Sequence, residues 1–195
     1  IIWLVLRRLT DDLRAMAARD PLTQLLNRRG LTEGLEAHFR SRNAGPVHLL
    51  VVDIDHFKRI NDTWGHEVGD TVLRHVADVL REAARKGDLA CRVGGEEFVI
   101  VCRDTDSAGA LRLAERMRAA IEQHAVPTGG GRDPIRCTAT IGVSHGFMSG
   151  HGFDRAMQEA DAALYQGKAA GRNRVVQSTE SAPAATRAKG SLSMA

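Results

Sequence analysis

The sequence predicts an α+β domain on a βαββαβ core, a mainly antiparallel sheet with helices around it. Three observations predict it. Val47-His48-Leu49-Leu50-Val51-Val52 is a nearly continuous apolar run that ends in Asp53-Ile54-Asp55, the pattern of a strand buried on both faces. Leu89-Ala90-Cys91 and Phe98-Val99-Ile100-Val101-Cys102 are joined by Arg92-Val93-Gly94-Gly95-Glu96-Glu97. A glycine pair between two such runs predicts a β-hairpin, because glycine reaches positive φ without a Cβ clash. Helical segments with a 3.6-residue period lie on either side of that hairpin, and a further strand pattern follows them.

Composition is that of an ordinary globular chain: 195 residues, 43% hydrophobic and 26% charged. That length holds one domain with a real core plus appendages. A net charge of +3 gives no ground for nucleic-acid binding. Cys91, Cys102 and Cys137 each fall in an apolar run with no CxxC or Cys/His spacing. Buried free thiols in a reducing compartment follow, not disulfides or zinc.

In chain order, Ile1–Leu6 followed by Arg7-Arg8 is far short of the ~20 residues that span a bilayer. It reads either as the end of a truncated membrane helix or as part of a signalling helix. Ile2, Leu6, Leu9, Leu13 and Met16 recur at an a/d spacing, which favours pairing between two chains. Residues 1–19 are therefore expected to be a linker helix, 20–177 the domain, and 178–195 a disordered tail rich in Ser, Ala and Thr. Asp20-Pro21 breaks the first helix, since proline disfavours helical geometry at the residue before it. A second helix is expected from Asn27 to roughly Arg42, ended by Gly45-Pro46. After the buried strand, a short helix covers His56–Asp62 and stops near Gly65. Asp70 reads as the N-cap of a longer helix, with Arg85-Lys86 in its last turn and Gly87 beyond. Asp106-Ser107 opens the next helix (Leu111, Ala114, Met117, Ile121). Gly129-Gly130-Gly131 is a loop and Thr138–Val143 a strand. Phe153, Ala156, Ala160 and Leu164 mark the last long helix, and Arg174–Val176 a short final strand.

The candidate site lies where two of these elements end. Adjacent glutamates at a hairpin tip repel each other, and the stability of the fold gives little reason for them. If the buried strand pairs beside the hairpin, Asp53 and Glu96 converge. Hard oxygen ligands from two strand ends, completed by water and phosphate oxygens, make a typical Mg²⁺ site. Asp55, just before a helix, reads equally as a cap.

These motifs are collinear with a known family. The chain resembles the GGDEF family of diguanylate cyclases from about Asp20 to Val176. The signature stands here as Gly94-Gly95-Glu96-Glu97-Phe98, the variant with Glu in third place. Asp53–Asp62, Gly65-His66 with Gly69-Asp70, Ala162–Tyr165, Lys168 and Gly171–Val175 complete the match. The resemblance implies a ferredoxin-like, palm-type fold that condenses two GTP into cyclic di-GMP, one GTP held by each of two facing domains of a homodimer.

It also implies roles. Asp53, the Ile54 carbonyl and Glu96 match the ligands of Mg²⁺ (or Mn²⁺), two per site. Glu96, with Glu97 as a second carboxylate, is a candidate to accept the proton of the attacking hydroxyl. Lys58 matches the position that stabilises the transition state, and Lys168 and Arg172 match phosphate-binding positions. Backbone N–H groups around His56 and Phe57 suit terminal phosphate oxygens. Asn61 and Asp70 match positions that read guanine. Arg85-Lys86-Gly87-Asp88 stands with five residues between it and Gly94 and, with Arg116, matches an inhibitory site for the product, cyclic di-GMP. One departure is Gln24, where the family usually has glycine. The resemblance places the domain in a bacterial cytoplasm, with a sensor or membrane tether upstream as a further expectation. The alternative is a catalytically silent domain that only binds cyclic di-GMP or a partner. A cyclase making a cyclic mononucleotide is disfavoured by Asn61, Asp70 and the signature.

Overall fold

The computed structural model describes residues 18–128 and 133–179. The expected a/d helix, the triple-glycine loop and nearly all of the expected tail lie outside the described residues. Among the described residues five strands form one sheet: β1 (Val47–Ile54), β2 (Leu89–Gly94), β3 (Glu97–Arg103), β4 (Ala139–Val143) and β5 (Val175–Gln177). Their order is β2-β3-β1-β4-β5. All pairings are antiparallel except β4 with β5. The helices are α1 (Arg28–Phe39), α2 (Phe57–Trp64), α3 (His66–Ala83), α4 (Ser107–Gln123) and α5 (Phe153–Ala169).

β1 is the centre of the sheet and is buried at every position, as its unbroken apolar run requires. Its alternate residues feed two cores. Leu50, Val52 and Ile54 pack with Phe98 and Ile100 against Val72, Val76 and Leu80 of α3 and Leu113 and Met117 of α4. Val47, Leu49 and Val51 pack on the other face against Leu31 and Leu35 of α1 and Ala156, Ala160 and Leu164 of α5. The two crossover helices of the βαββαβ core thus share one face. α1 and α5 cover the other. All three cysteines are free and buried, and burial pushes the Cys91 thiol up to about 12, so they act as small apolar side chains.

Helix boundaries correct three expectations. α3 begins at His66, not at Asp70, and Gly65 (φ 85°) stands at its N-cap with no side-chain cap. Asp70 is inside the helix. α3 also ends at Ala83, so Arg85 and Lys86 lie beyond it in the following turn. α1 stops at Phe39, with Arg40 as its C-cap. Asn27 and Asp106 do cap α1 and α4, accepting from the N–H groups of Gly30 and Gly109.

Gln24 sits at φ 60°, the left-handed region that costs a side chain about 1 kcal/mol. Its amide donates to the Pro21 carbonyl at 3.0 Å, which holds the turn. Gln24→Gly is expected to stabilise the domain by about 0.5–1 kcal/mol in urea unfolding, with the strain relieved. An unchanged midpoint would refute the strain.

Candidate functional site

Antiparallel pairing sets Asp53 of β1 opposite Glu97 of β3, so both side chains project to one face. The hairpin turn is built on Gly94 (φ 155°) and Gly95 (φ 48°), and it folds Glu96 back over the end of β1. The Ile54 N–H points at the Glu96 carbonyl at 3.5 Å. Asp53 is buried, and Lys168 from the last turn of α5 pairs with it at 2.8 Å. Burial raises the Asp53 pKa, partly offset by Lys168. Burial and then the facing Asp53 charge raise that of Glu96. The two carboxylates are therefore held near each other against their repulsion, which Lys168, paired with Asp53, offsets in part. Among the described residues no group of three His, Cys, Asp or Glu side chains could hold a metal. Asp53 and Glu96 are close enough to act on each other's charge, with Glu97 and Asp55 adding to it and Lys168 offsetting part of it, and the net negative charge left suits a hard divalent cation.

The turn is also fixed from outside. Arg92 donates to the Gly95 carbonyl at 2.7 and 3.0 Å and to both oxygens of Asp20 at 3.2 and 3.3 Å. Asp20 in turn accepts from the Thr23 hydroxyl at 2.7 Å and the Thr23 N–H at 2.9 Å. Sequence reasoning took Asp20 only as the residue before a helix-breaking proline and gave Arg92 no role. The Asp-x-x-Thr spacing is the signal that was there to use.

Past the end of β1, His56 takes a left-handed conformation (φ 57°) and α2 starts at Phe57. Lys58 is exposed on α2. Asn61 and Asp70 are both half-buried. The Asn61 side-chain oxygen lies so close to Gly69 that a Cβ there would overlap it, which brings Asn61 beside Asp70. Arg172 sits in the turn after α5, next to Lys168.

Asp55 is not a helix cap. Its oxygens accept from the Thr138 and Thr140 hydroxyls at 2.7 Å and from the Asn173 N–H at 3.0 Å.

At the far end of α3, Arg85 and Arg116 line one groove of about 760 Å³ with His75, Glu82 and His124. Asp88 does not line it and stands instead with Arg85 on a neighbouring groove. Its carboxylate accepts from the N–H groups of Arg85 at 3.0 Å and Arg103 at 3.3 Å, so it holds the turn before β2.

The profile described as "Diguanylate cyclase, GGDEF domain" matches residues 17–174. The chain belongs to the GGDEF family. Among curated GGDEF relatives, the response regulator PleD of Caulobacter vibrioides is 43% identical over 179 residues, covering 87% of this chain and 39% of PleD. The chain therefore spans well under half the length of that relative. Among solved structures, the coiled coil and GGDEF domain of DgcB from Caulobacter crescentus, in complex with c-di-GMP, superposes with a TM-score of 0.80 at 32% identity. That match covers 88% of this chain and 91% of DgcB's. The active GGEEF domain of a diguanylate cyclase from Vibrio cholerae gives 0.71 at 35% identity, covering 81% and 100%. The GGDEF fold expected from the motifs is the one observed. No helix among the described residues is long and apolar enough to cross a membrane.

Proposed function

We propose that this GGDEF domain is a diguanylate cyclase that joins two GTP into cyclic di-GMP and two pyrophosphates. The observation that carries the reading is the meeting of Asp53 and Glu96 beside Lys168. The activity stated for the Vibrio cholerae GGEEF domain, which has the same signature letters, supports it.

In each half-reaction a 3′-hydroxyl oxygen bonds to the α-phosphorus of the other GTP. The bond to the β-phosphate oxygen breaks and pyrophosphate leaves. Little covalent chemistry falls to the protein, so its contribution is positioning and charge. Asp53, Glu96 and the Ile54 carbonyl would hold Mg²⁺ or Mn²⁺, which when bound polarises the phosphate and acidifies the hydroxyl. Glu96, whose pKa is already raised, accepts the hydroxyl proton, with Glu97 on the same face as second acceptor. Lys58, Lys168 and Arg172 balance phosphate charge, and the N–H groups at His56 and Phe57 face the terminal oxygens. Asn61 and Asp70 read guanine: one carboxylate accepts from N1–H and the exocyclic amine together. Adenine lacks that donor pair and leaves the acid unpaired, at about 1–3 kcal/mol. Each domain holds one GTP, so the working unit is a homodimer. Incubation with GTP and Mg²⁺ should give cyclic di-GMP on chromatography. No product, with dinucleotide binding intact, would leave a silent binding module instead.

The groove of Arg85 and Arg116 is the proposed feedback site, since guanidinium groups pair bidentately with guanine edges and phosphates. Arg85→Ala is expected to raise the inhibition constant for cyclic di-GMP about tenfold or more. Inhibition equal to that of the parent would remove this assignment.

A further inference from the structure

Three residues in a row after α5 take positive φ: Gly171 at 115°, Arg172 at 63° and Asn173 at 45°. A helix end needs one such residue, usually glycine. Two non-glycine residues there cost about 1 kcal/mol each, and they persist only because the surroundings over-determine them.

Those surroundings are specific. The Arg172 N–H donates to the Gly167 carbonyl at 3.0 Å. The Asn173 N–H donates to Asp55, which is 5% exposed. Successive N–H groups in such a turn form an anion-binding concavity, and here the anion at Asn173 is internal, the Asp55 carboxylate. The Asn173 side chain is gripped from the opposite side. Its oxygen accepts from Arg118 and its amide donates to Glu122, both at 2.7 Å. Arg118 is itself held by Glu115 and Glu122. The turn is therefore tied to the end of β1, to β4 through Thr140, and to α4. It carries Arg172 and follows directly on Lys168.

We infer that Asp55, Asn173 and Arg118 are positioning residues: they hold a strained turn so that Arg172 and Lys168 meet the triphosphate. This rests on the cyclase reading for the identity of the ligand.

The test measures binding of the unreactive analogue α,β-methylene-GTP with Mg²⁺ by calorimetry, and GTP turnover, in the whole chain. Asn173→Gly keeps the left-handed backbone accessible but removes the grip. Arg118→Met removes it from the α4 side. Each is expected to weaken analogue binding about tenfold and raise KM by a similar factor, with kcat within about twofold. In an Arg172→Ala background, Asn173→Gly is expected to add little. Parent-like binding by both variants overturns the inference. So does an undiminished tenfold effect in the Arg172→Ala background, which would mean a general structural role. Analogue binding without product from GTP overturns the cyclase reading alone. No analogue binding by the parent overturns both.

Discussion

Glu96→Gln is expected to lower cyclic di-GMP formation about a thousandfold, the scale of losing a preorganised charge at the reacting centre, while making the metal-free domain more stable. The two effects have one cause. Burial and the facing Asp53 raise the Glu96 pKa, so the folded state binds its proton more tightly than the unfolded chain does. Such a group stabilises the fold below its unfolded pKa, and that stability is lost as pH rises through the folded value. For Glu96 the loss starts near the ordinary carboxylate value of 4.5 and runs upward. Once ionised, the two acids are in conflict, each charge raising the energy of the other. The amide removes one charge. Because Glu96 is only partly shielded from water, the gain is about 0.5 kcal/mol, a rise in Tm of about 1–2 °C. Mg²⁺ should raise the Tm of the parent and not that of the variant. Melting curves at pH 7 with and without Mg²⁺ decide it. A variant less stable than the parent would show that the acids are not held against repulsion.

Gly142→Ala is expected to cost about 3 kcal/mol and about 6–12 °C in Tm. Gly142 lies in β4 opposite Val51, under α5. A Cβ there would meet the Ala160 carbonyl and, at 2.5 Å, the Leu164 nitrogen. Both are backbone atoms, which do not move aside as a flexible side chain does. α5 must lift from the sheet, and Lys168 at its end moves away from Asp53. The loss should therefore appear in activity before the fold melts. Denaturant unfolding with activity read alongside checks this, and a change below about 0.5 kcal/mol would contradict the close packing.

The core of the fold was legible because its signals are local. The apolar run of β1, short and rich in β-branched residues, reads as a buried strand, and the glycine pair at 94–95 reads as a turn. The meeting of Asp53 and Glu96 follows once β1 and β3 are neighbours. What was hidden depended on distant partners. Asp55 read equally as a helix cap from its neighbours alone, and its partners stand 83, 85 and 118 residues away. Asp70 looked like an N-cap because its type favours that position, yet positive φ at Gly65 let the helix start earlier with no side-chain cap. Asp88 was grouped with Arg85 by spacing. Its oxygens also satisfy two backbone N–H groups, which no pattern of four residues would reveal.

A single guanidinium, that of Arg92, grips both Asp20, close to where the described chain begins, and the peptide that presents Glu96. A displacement entering along the chain at Asp20 and the position of Glu96 are thus not independent coordinates. Two side chains, Asp20 and Arg92, are all that separates the one from the other.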